Sequence, residues 1–188
     1  MGYRAHPHDR ISLSLASFFT DYNDLRSVEQ INPPNPLPAR IANGLKGEAY
    51  GLELTANYQV NNWWRLHGGF TEMRIKIRPD LTSSDRSNGS GESHDPRRRL
   101  LLRSSVGEFK DVQFDSIFRF VSAIENQRLP GYAELDLRLS WRPKSSLELS
   151  IAGQNLLHKR HAEFGLPGSR QEIERSVYGK VVWRLFDH

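Results

Sequence analysis

The chain has 188 residues, of which 37% are hydrophobic and 26% charged, with a formal net charge of +4 and no cysteine. The missing cysteines exclude disulfides and thiolate metal sites, and so small a charge is far from the concentrated basic surface of a nucleic-acid-binding domain. No apolar run approaches the ~20 residues of a transmembrane helix, and residues 1–8 lack the apolar core of a secretory signal.

Eight β-strands and no helix are predicted from the alternation of apolar and polar residues. Successive side chains of a strand point to opposite faces, so alternation predicts a strand with one apolar and one polar side. The predicted strands cover residues 10–22, 48–60, 63–76, 98–106, 112–122, 133–141, 147–154 and 176–185. The pattern is clearest from Ala133 to Trp141, where every odd residue is apolar and every even one polar.

The connections between these strands alternate in length. Residues 23–47, 79–96 and 157–174 are long, residues 61–62, 107–111 and 143–146 are short, and residues 123–129 are intermediate. Outer-membrane barrels have short periplasmic turns and long extracellular loops, with aromatic girdles at both interfaces. Aromatic residues also lie near the predicted strand ends: Tyr22, Tyr50, Trp63, Trp64 and Tyr132. We therefore predict an all-β fold, an antiparallel up-and-down transmembrane β-barrel portion of about eight strands.

Few side chains form a pattern that catalysis or metal binding requires. His6, His8 and Asp9 could make a weak metal site, but a solvated chain end is the favoured interpretation. The run from Arg97 to Arg99 is interpreted as a solvated strand end. No serine lies in a Gly-x-Ser-x-Gly elbow, and Gly89-Ser90-Gly91 is too short for a phosphate-binding loop. The sequence predicts no catalytic, cofactor or metal site, and hence no enzyme.

Charged residues on the polar faces of the late strands are expected to pair with one another. The acids Glu134, Asp136 and Glu148 alternate with apolar residues, as do Arg138, Lys180 and Arg184 on the same or neighbouring strands. This pattern indicates ion pairs that line a barrel interior. The candidates for ligand binding lie in the last long connection, where basic side chains could contact an anionic or metal-chelate cargo: His158, Arg160 and His161.

The order and spacing of several segments resemble the C-terminal barrel portion of TonB-dependent outer-membrane receptors over essentially the whole chain. The most specific segment is Gly153-Gln154-Asn155-Leu156-Leu157-His158. The other segments are residues 22–27, 43–54, 63–66, 95–96, 102–105, 132–141, 161–165 and 175–180.

The resemblance implies that residues 1–188 are a single C-terminal segment of a Gram-negative outer-membrane importer for a scarce ligand such as a ferric siderophore, haem or cobalamin. Such receptors have a 22-stranded barrel around an N-terminal plug. The implied partners are outer-membrane lipid, the TonB complex through the missing N-terminal region, the barrel assembly machinery through the C-terminal strand, and a small-molecule ligand. No cofactor and no nucleic acid are implied, and the export signal is not in this chain.

The end of the chain departs from the family pattern. Family members commonly finish on an aromatic residue, usually Phe, which guides insertion. Here Leu185 takes the lipid-facing place of that residue, followed by Phe186, Asp187 and His188.

Two other interpretations remain open from the sequence. The first is a stand-alone eight-stranded outer-membrane barrel, whose hydrogen-bonded closure would remove exposed sheet edges. The second is a soluble β-barrel or sandwich binding module. Alternation alone does not tell whether the apolar face points outward to lipid or inward to a core, so the direction of that face separates these interpretations.

Overall fold

The computed structural model describes residues 1–87, 89, 95–109, 111–165, 167–168 and 170–184. Within these residues lie eleven β-strands: β1 (Gly2–His8), β2 (Ile11–Gln30), β3 (Ala39–Asn61), β4 (Trp64–Pro79), β5 (Arg98–Phe109), β6 (Val112–Val121), β7 (Tyr132–Lys144), β8 (Leu147–Gln154), β9 (Arg160–Ala162), β10 (Glu172–Glu174) and β11 (Ser176–Trp183). A short 3₁₀ helix covers Glu125–Gln127. None of the described helical residues belongs to a helix long and apolar enough to cross a membrane.

Nine strands form one antiparallel sheet in the order β1-β2-β3-β4-β5-β6-β7-β8-β11, while β9 and β10 form a separate hairpin. Each of the nine strands pairs with its neighbours in chain order, so the predicted antiparallel up-and-down topology is confirmed. Short turns follow β1, β3, β5 and β7, and long connections follow β2, β4, β6 and β8. Among the described strands, β1 and β11 pair on one side only, so the sheet does not close on itself.

The strands of the main sheet differ from the prediction in two places, and the predicted connection at residues 157–174 also contains the short strands β9 and β10. Residues 2–8, interpreted as a solvated chain end, form β1, which pairs with β2 from Gly2 opposite Ala16 to His8 opposite Ile11. The connection at residues 23–47 is mostly strand, because β2 continues to Gln30 and β3 already begins at Ala39. Both segments contain shifts of register, which interrupt the simple alternation on which the prediction depended.

One face of the sheet is apolar and exposed. The register aligns Leu15, Leu54, Phe70 and Leu100 across four neighbouring strands. Twelve of the large side chains on this face are 37–71% exposed: those of Leu15, Leu54, Tyr58, Leu102, Phe114, Phe120, Leu139, Trp141, Ile151, Val177, Val181 and Trp183. We call this side the apolar face and the other the polar face. A soluble barrel would bury these side chains, so the structure does not favour the soluble interpretation.

The alternation of β3 and β4 inverts toward their long-connection ends. Leu52 and Phe70 are on the apolar face. Nearer the long connections, the same face carries charged residues such as Glu48 and Lys76. The polar face, in turn, receives the buried Leu45 and Ala49. With 23 residues, β3 is about twice as long as the ~9–11 residues of a transmembrane β-strand. The inversion therefore marks the point at which these strands leave the apolar band.

Candidate functional site

A fully buried carboxylate, that of Glu134 on β7, organises the polar face near the long connections. The residue has 0% exposure. The backbone N–H of Leu157 donates to Glu134 Oε2 at 3.1 Å, and His158 Nδ1 lies 2.9 Å from Glu134 Oε1. His161 Nδ1 lies 3.1 Å from the same oxygen but is not aligned for a hydrogen bond. Because a buried carboxylate is stable only when its oxygens have partners, Glu134 holds the segment after β8 against the sheet.

The chain reverses at the end of β8 through Asn155, whose φ of 55° is left-handed, a conformation that Asn tolerates better than most residues. Its backbone N–H donates to Asp136 Oδ1 at 2.9 Å, and Arg119 Nη2 donates to its Oδ1 at 2.9 Å. Its side-chain amide donates to the carbonyl oxygen of Glu174 at 3.3 Å. Asn155 thus ties β6, β7 and the segment before β11 together.

The three predicted ligand-binding residues occupy different environments. The side chains of His158 and Arg160 are 51% and 53% exposed. Arg160 makes only distant ion pairs, at 3.7 Å to Glu172 and 3.9 Å to Glu174. These two residues remain available to a ligand.

His161, in contrast, is buried, with 8% exposure. Its ring packs on Tyr132 with centroids 4.4 Å apart, and its Nε2 lies 2.9 Å from Glu163 Oε1. His158 and His161 thus meet at the same oxygen of Glu134, whereas Arg160 faces the carboxylates of Glu172 and Glu174 on β10. Their role in ligand binding stays a prediction.

Ion pairs do line the polar face, but only partly as predicted. Glu148 pairs with Arg138 at 2.7 Å, as expected, and also with Arg142 at 3.5 Å. Asp136 instead pairs with Arg119 at 3.2 Å. The prediction for Arg184 is wrong, because its guanidinium donates to the carbonyl oxygen of Ser145 across a short turn.

A second buried carboxylate, that of Glu29, lies where β2 extends beyond the apolar band. Ser27 Oγ and Ser83 Oγ each donate to Glu29 Oε1 at 2.7 Å. Ser84 Oγ donates to Oε2 at 2.7 Å, and the backbone N–H of Ser84 donates to the same oxygen. These hydrogen bonds, led by those from Ser27, Ser83 and Ser84, lower the pKa of Glu29 from 4.5 to about 2 against the opposing effect of burial. We call this arrangement the serine clamp.

Asp85 continues the serine clamp. Its Oδ2 accepts from the backbone N–H of Val28 at 2.7 Å, and its Oδ1 accepts from Ser87 Oγ at 2.6 Å. Burial raises the pKa of Asp85, but the hydrogen bonds from Ser87 and Val28 outweigh burial and leave that pKa below its usual value. The clamp fixes residues 80–87 onto the extended β2–β3 hairpin. Sequence reasoning missed it, because its partners are separated by more than 50 residues.

The polar face also contains a broad depression of about 500 Å³ near the short turns. Its lining includes the basic residues His6, Arg10, Arg65, His67 and Arg103. Among the described residues, no group of three or more His, Cys, Asp or Glu side chains has the arrangement of a metal site. The predicted insertion signal lies outside the described residues, at Leu185, Phe186, Asp187 and His188. Ser90 and Gly91 of the Gly-Ser-Gly segment also lie outside them.

Comparison with models of protein families identifies a family that matches this chain. A family model described as the TonB-dependent receptor-like β-barrel matches residues 2–156. This range includes β1 to β8 and the turn at Asn155.

Solved structures with the same fold cover nearly the whole chain. The siderophore receptor PiuA from Acinetobacter baumannii is 19% identical over 93% of the chain, with a TM-score of 0.70. The ferric-catecholate import receptor Fiu from Escherichia coli K12 is 18% identical over 97%, with a TM-score of 0.72. The ferric yersiniabactin uptake receptor FyuA from Yersinia pestis is 20% identical over 98%, with a TM-score of 0.74. The chain spans only 26–29% of these proteins.

Proposed function

Since the chain belongs to the TonB-dependent receptor β-barrel family, we propose that it forms the C-terminal part of the barrel wall of an outer-membrane receptor that imports a scarce ligand. The related receptors are outer-membrane proteins that act in transport and are not enzymes. On this proposal residues 1–188 are one segment of a larger barrel, whose remaining strands pair with β1 and β11.

The main support for this proposal is that the sheet has one apolar and one polar face. Leu139, Trp141 and Ile151 are 46–54% exposed on the apolar face, which would be costly in water but matches the acyl chains of a bilayer. The polar face carries the paired charges of Glu148, Arg138 and Arg119, which suits a hydrated lumen. The short turns then lie on the periplasmic side and the long connections on the extracellular side.

Ferric siderophores are the cargo class that we propose. The neighbours include a siderophore receptor, a ferric-catecholate import receptor, a ferric yersiniabactin uptake receptor and a receptor bound to pyoverdine. In this chain the exposed His158 and Arg160 lie on the extracellular side of the lumen, where a cation and a hydrogen-bond donor suit an anionic chelate. His161 is proposed to contribute by fixing this segment from below.

The proposed partners follow from the same placement. Lipid covers the apolar face, the barrel assembly machinery recognises the C-terminal strand, and the TonB complex acts through an N-terminal region of the receptor. The ligand itself is a small molecule, and nucleic acid has no place in this function.

Uptake of radiolabelled ferric siderophores by cells that express the full receptor carrying this chain tests the proposed function. We expect uptake to require TonB. The double substitution His158→Ala/Arg160→Ala should lower the apparent affinity about 10-fold, because it removes two donors to an anionic ligand. Lys144→Ala, an exposed change near the periplasmic turn after β7, serves as the matched control. Uptake that is independent of TonB would contradict the proposed transport, and unchanged affinity in the double variant would contradict the proposed ligand contacts.

A further inference from the structure

His161 is a buried histidine whose two ring nitrogens face two different carboxylates. Its Nε2 lies 2.9 Å from Glu163 Oε1, and its Nδ1 lies 3.1 Å from Glu134 Oε1. The ring packs on Tyr132, which brings no charge at neutral pH. Nδ1 makes no hydrogen bond to any residue that the structure describes. A buried nitrogen of a titratable group is therefore close to an acceptor but unpaired.

The number of hydrogens on the ring decides whether both carboxylates have a donor. A neutral imidazole has one N–H and one lone pair, whereas an imidazolium has two N–H groups. A neutral His161 can donate to Glu163 or to Glu134 but not to both, and its lone pair then faces the other carboxylate. A second proton removes this mismatch, because Nδ1 is already within hydrogen-bonding distance of the Glu134 carboxylate.

The charge of the cluster favours the second proton as well. Within the described part of the chain, Glu134 forms ion pairs only with His158 and His161. With neutral rings, the buried Glu134 and the partly buried Glu163 add two negative charges that these histidines do not offset. Burial of a ring by itself favours its neutral form. Burial of a carboxylate without a cation is also costly, and protonation of the rings removes that cost.

The nearby cations of the sheet already have partners. On β6, the guanidinium of Arg119 pairs with Asp136 at 3.2 Å. On β5, Arg99 Nη2 lies 3.4 Å from Asp95. Neither arginine is directed at the carboxylates beside His161, so the histidines are the groups that can supply the positive charge.

Strand β10 brings further negative charge to the cluster. Ile173 is opposite His161 in the β9–β10 hairpin, and Glu172 and Glu174 flank Ile173. These two carboxylates share Arg160, at 3.7 Å and 3.9 Å. The charge that β10 adds next to His161 therefore also favours the protonated ring.

We propose that His161 is a proton-controlled latch for residues 155–163. When its ring binds a second proton, it bridges Glu134 and Glu163 and holds this segment against the barrel wall. Histidine changes charge between about pH 5 and pH 8. Because the held segment binds the additional proton, its stability is complete in mild acid and is lost as the pH rises through this range.

The consequence for ligand capture rests on the proposed function, because only that function makes His158 and Arg160 ligand contacts. The latch would then present these contacts in a fixed position in mild acid and release them at higher pH. The latch itself depends only on the contacts of His161 and is measurable without a ligand.

Hydrogen exchange of the amides at residues 155–163, measured in the full receptor without ligand at about pH 5.5 and about pH 8, tests this proposal. After correction for the intrinsic pH dependence of exchange, protection should be at least about 10-fold greater at the lower pH, because one linked proton changes an equilibrium by up to tenfold per pH unit. His161→Gln, which binds no proton, should show equal protection at both values. The matched control His67→Gln replaces a histidine that contacts Asn57 near the short turns and should keep the full pH dependence.

Glu163→Gln provides a second test that leaves the histidine in place. The amide oxygen can still accept a hydrogen bond from a neutral ring, but it brings no negative charge. The pH dependence of protection should therefore decrease in this variant. His158→Gln, a change at a half-exposed ring with one carboxylate contact, should retain most of the pH dependence.

Two outcomes would overturn the inference. One is equal protection of residues 155–163 at the two pH values in the unmodified receptor. The other is a pH dependence that His161→Gln retains and His158→Gln loses. Since the measurement uses no ligand, its failure is distinct from failure of the proposed function. TonB-dependent uptake with pH-independent exchange refutes the latch alone, whereas pH-dependent exchange with uptake that is independent of TonB refutes the proposed function alone.

Discussion

Replacing Glu134 with alanine is expected to release residues 155–163 from the barrel wall. The substitution leaves the backbone N–H of Leu157 and the ring nitrogens of His158 and His161 without the carboxylate that they face. The substitution removes two hydrogen bonds to a charged group, which contribute about 1.5–3 kcal/mol each when buried and less at the half-exposed His158. Hydrogen exchange of the amides at residues 155–163 in the full receptor should therefore accelerate by on the order of 100-fold, because about 1.4 kcal/mol corresponds to a factor of ten.

The control for this experiment is Glu53→Gln. Glu53 is also on the polar face, opposite Thr71 on β4, but it is exposed. We expect its replacement to leave exchange at residues 155–163 unchanged. Unchanged exchange in Glu134→Ala as well would contradict the anchoring role of the buried carboxylate. Because His158 and His161 face the same oxygen of Glu134, release of this segment should also weaken ligand uptake if the proposed function holds.

Replacing Glu29 with glutamine is expected to open the serine clamp. The amide group of glutamine cannot accept hydrogen bonds from Ser83 and both donors of Ser84 as the carboxylate does. Hydrogen bonds to a charged group contribute about 1.5–3 kcal/mol each, so limited proteolysis within residues 80–87 should become at least about 10-fold faster. Glu174→Gln, a change at an exposed carboxylate in the last long connection, should leave that rate unchanged.

Acid should open the same clamp without any substitution. The pKa of Glu29 is about 2 in the folded protein against an ordinary value of 4.5. A lowered pKa contributes stability that is complete above the ordinary value and is lost as the pH falls through the folded value. Protection of residues 80–87 should thus be constant at neutral pH, decline below pH 4.5 and disappear near pH 2. Loss of protection between pH 7 and pH 5 would contradict this assignment.

The strands of the barrel wall were predictable wherever alternation is uninterrupted. The predicted strand at residues 133–141 corresponds to β7, Tyr132–Lys144. Its prediction succeeded because the odd residues 133–141 all lie on the apolar face, so the alternation is not interrupted. Strand β1 was missed because its pairing with β2 is irregular between Ala5 and His8. The extensions of β2 and β3 were missed for a similar reason, since the register shifts between Tyr22 and Ser27.

The sequence of β4 also indicates where the apolar band ends. Leu66 and Phe70 are apolar at even positions of β4, but from Met73 the apolar residues fall on odd positions, as at Ile77. This change coincides with the first charges that β4 places on the apolar face, Glu72 and Arg74. The prediction missed the end of the band because it considered only whether apolar and polar residues alternate, and not whether the apolar ones are at even or odd positions.

The buried carboxylates could not be predicted in their actual roles. Glu134 was expected to pair with a cation on a neighbouring strand, yet its partners lie 23 and 24 residues further along the chain. Glu29 gave no signal at all, because its serine partners are brought to it only by the fold of residues 80–87. Similarly, the burial of His161 depends on the ring of Tyr132, which precedes it by 29 residues in the sequence.

Site-directed spin labelling measures whether the apolar face of the sheet lies against the bilayer. The chain contains no cysteine, so a single introduced cysteine gives a unique label within it. Labels at Leu54 and Leu139, on the apolar face, should collide with oxygen dissolved in the bilayer and be shielded from a water-soluble nickel chelate. Labels at Thr55 and Asn57, on the polar face, should show the opposite preference. Contact of Leu54 and Leu139 with the nickel chelate, and of Thr55 and Asn57 with lipid, would contradict the assignment of this sheet to the wall of an outer-membrane barrel.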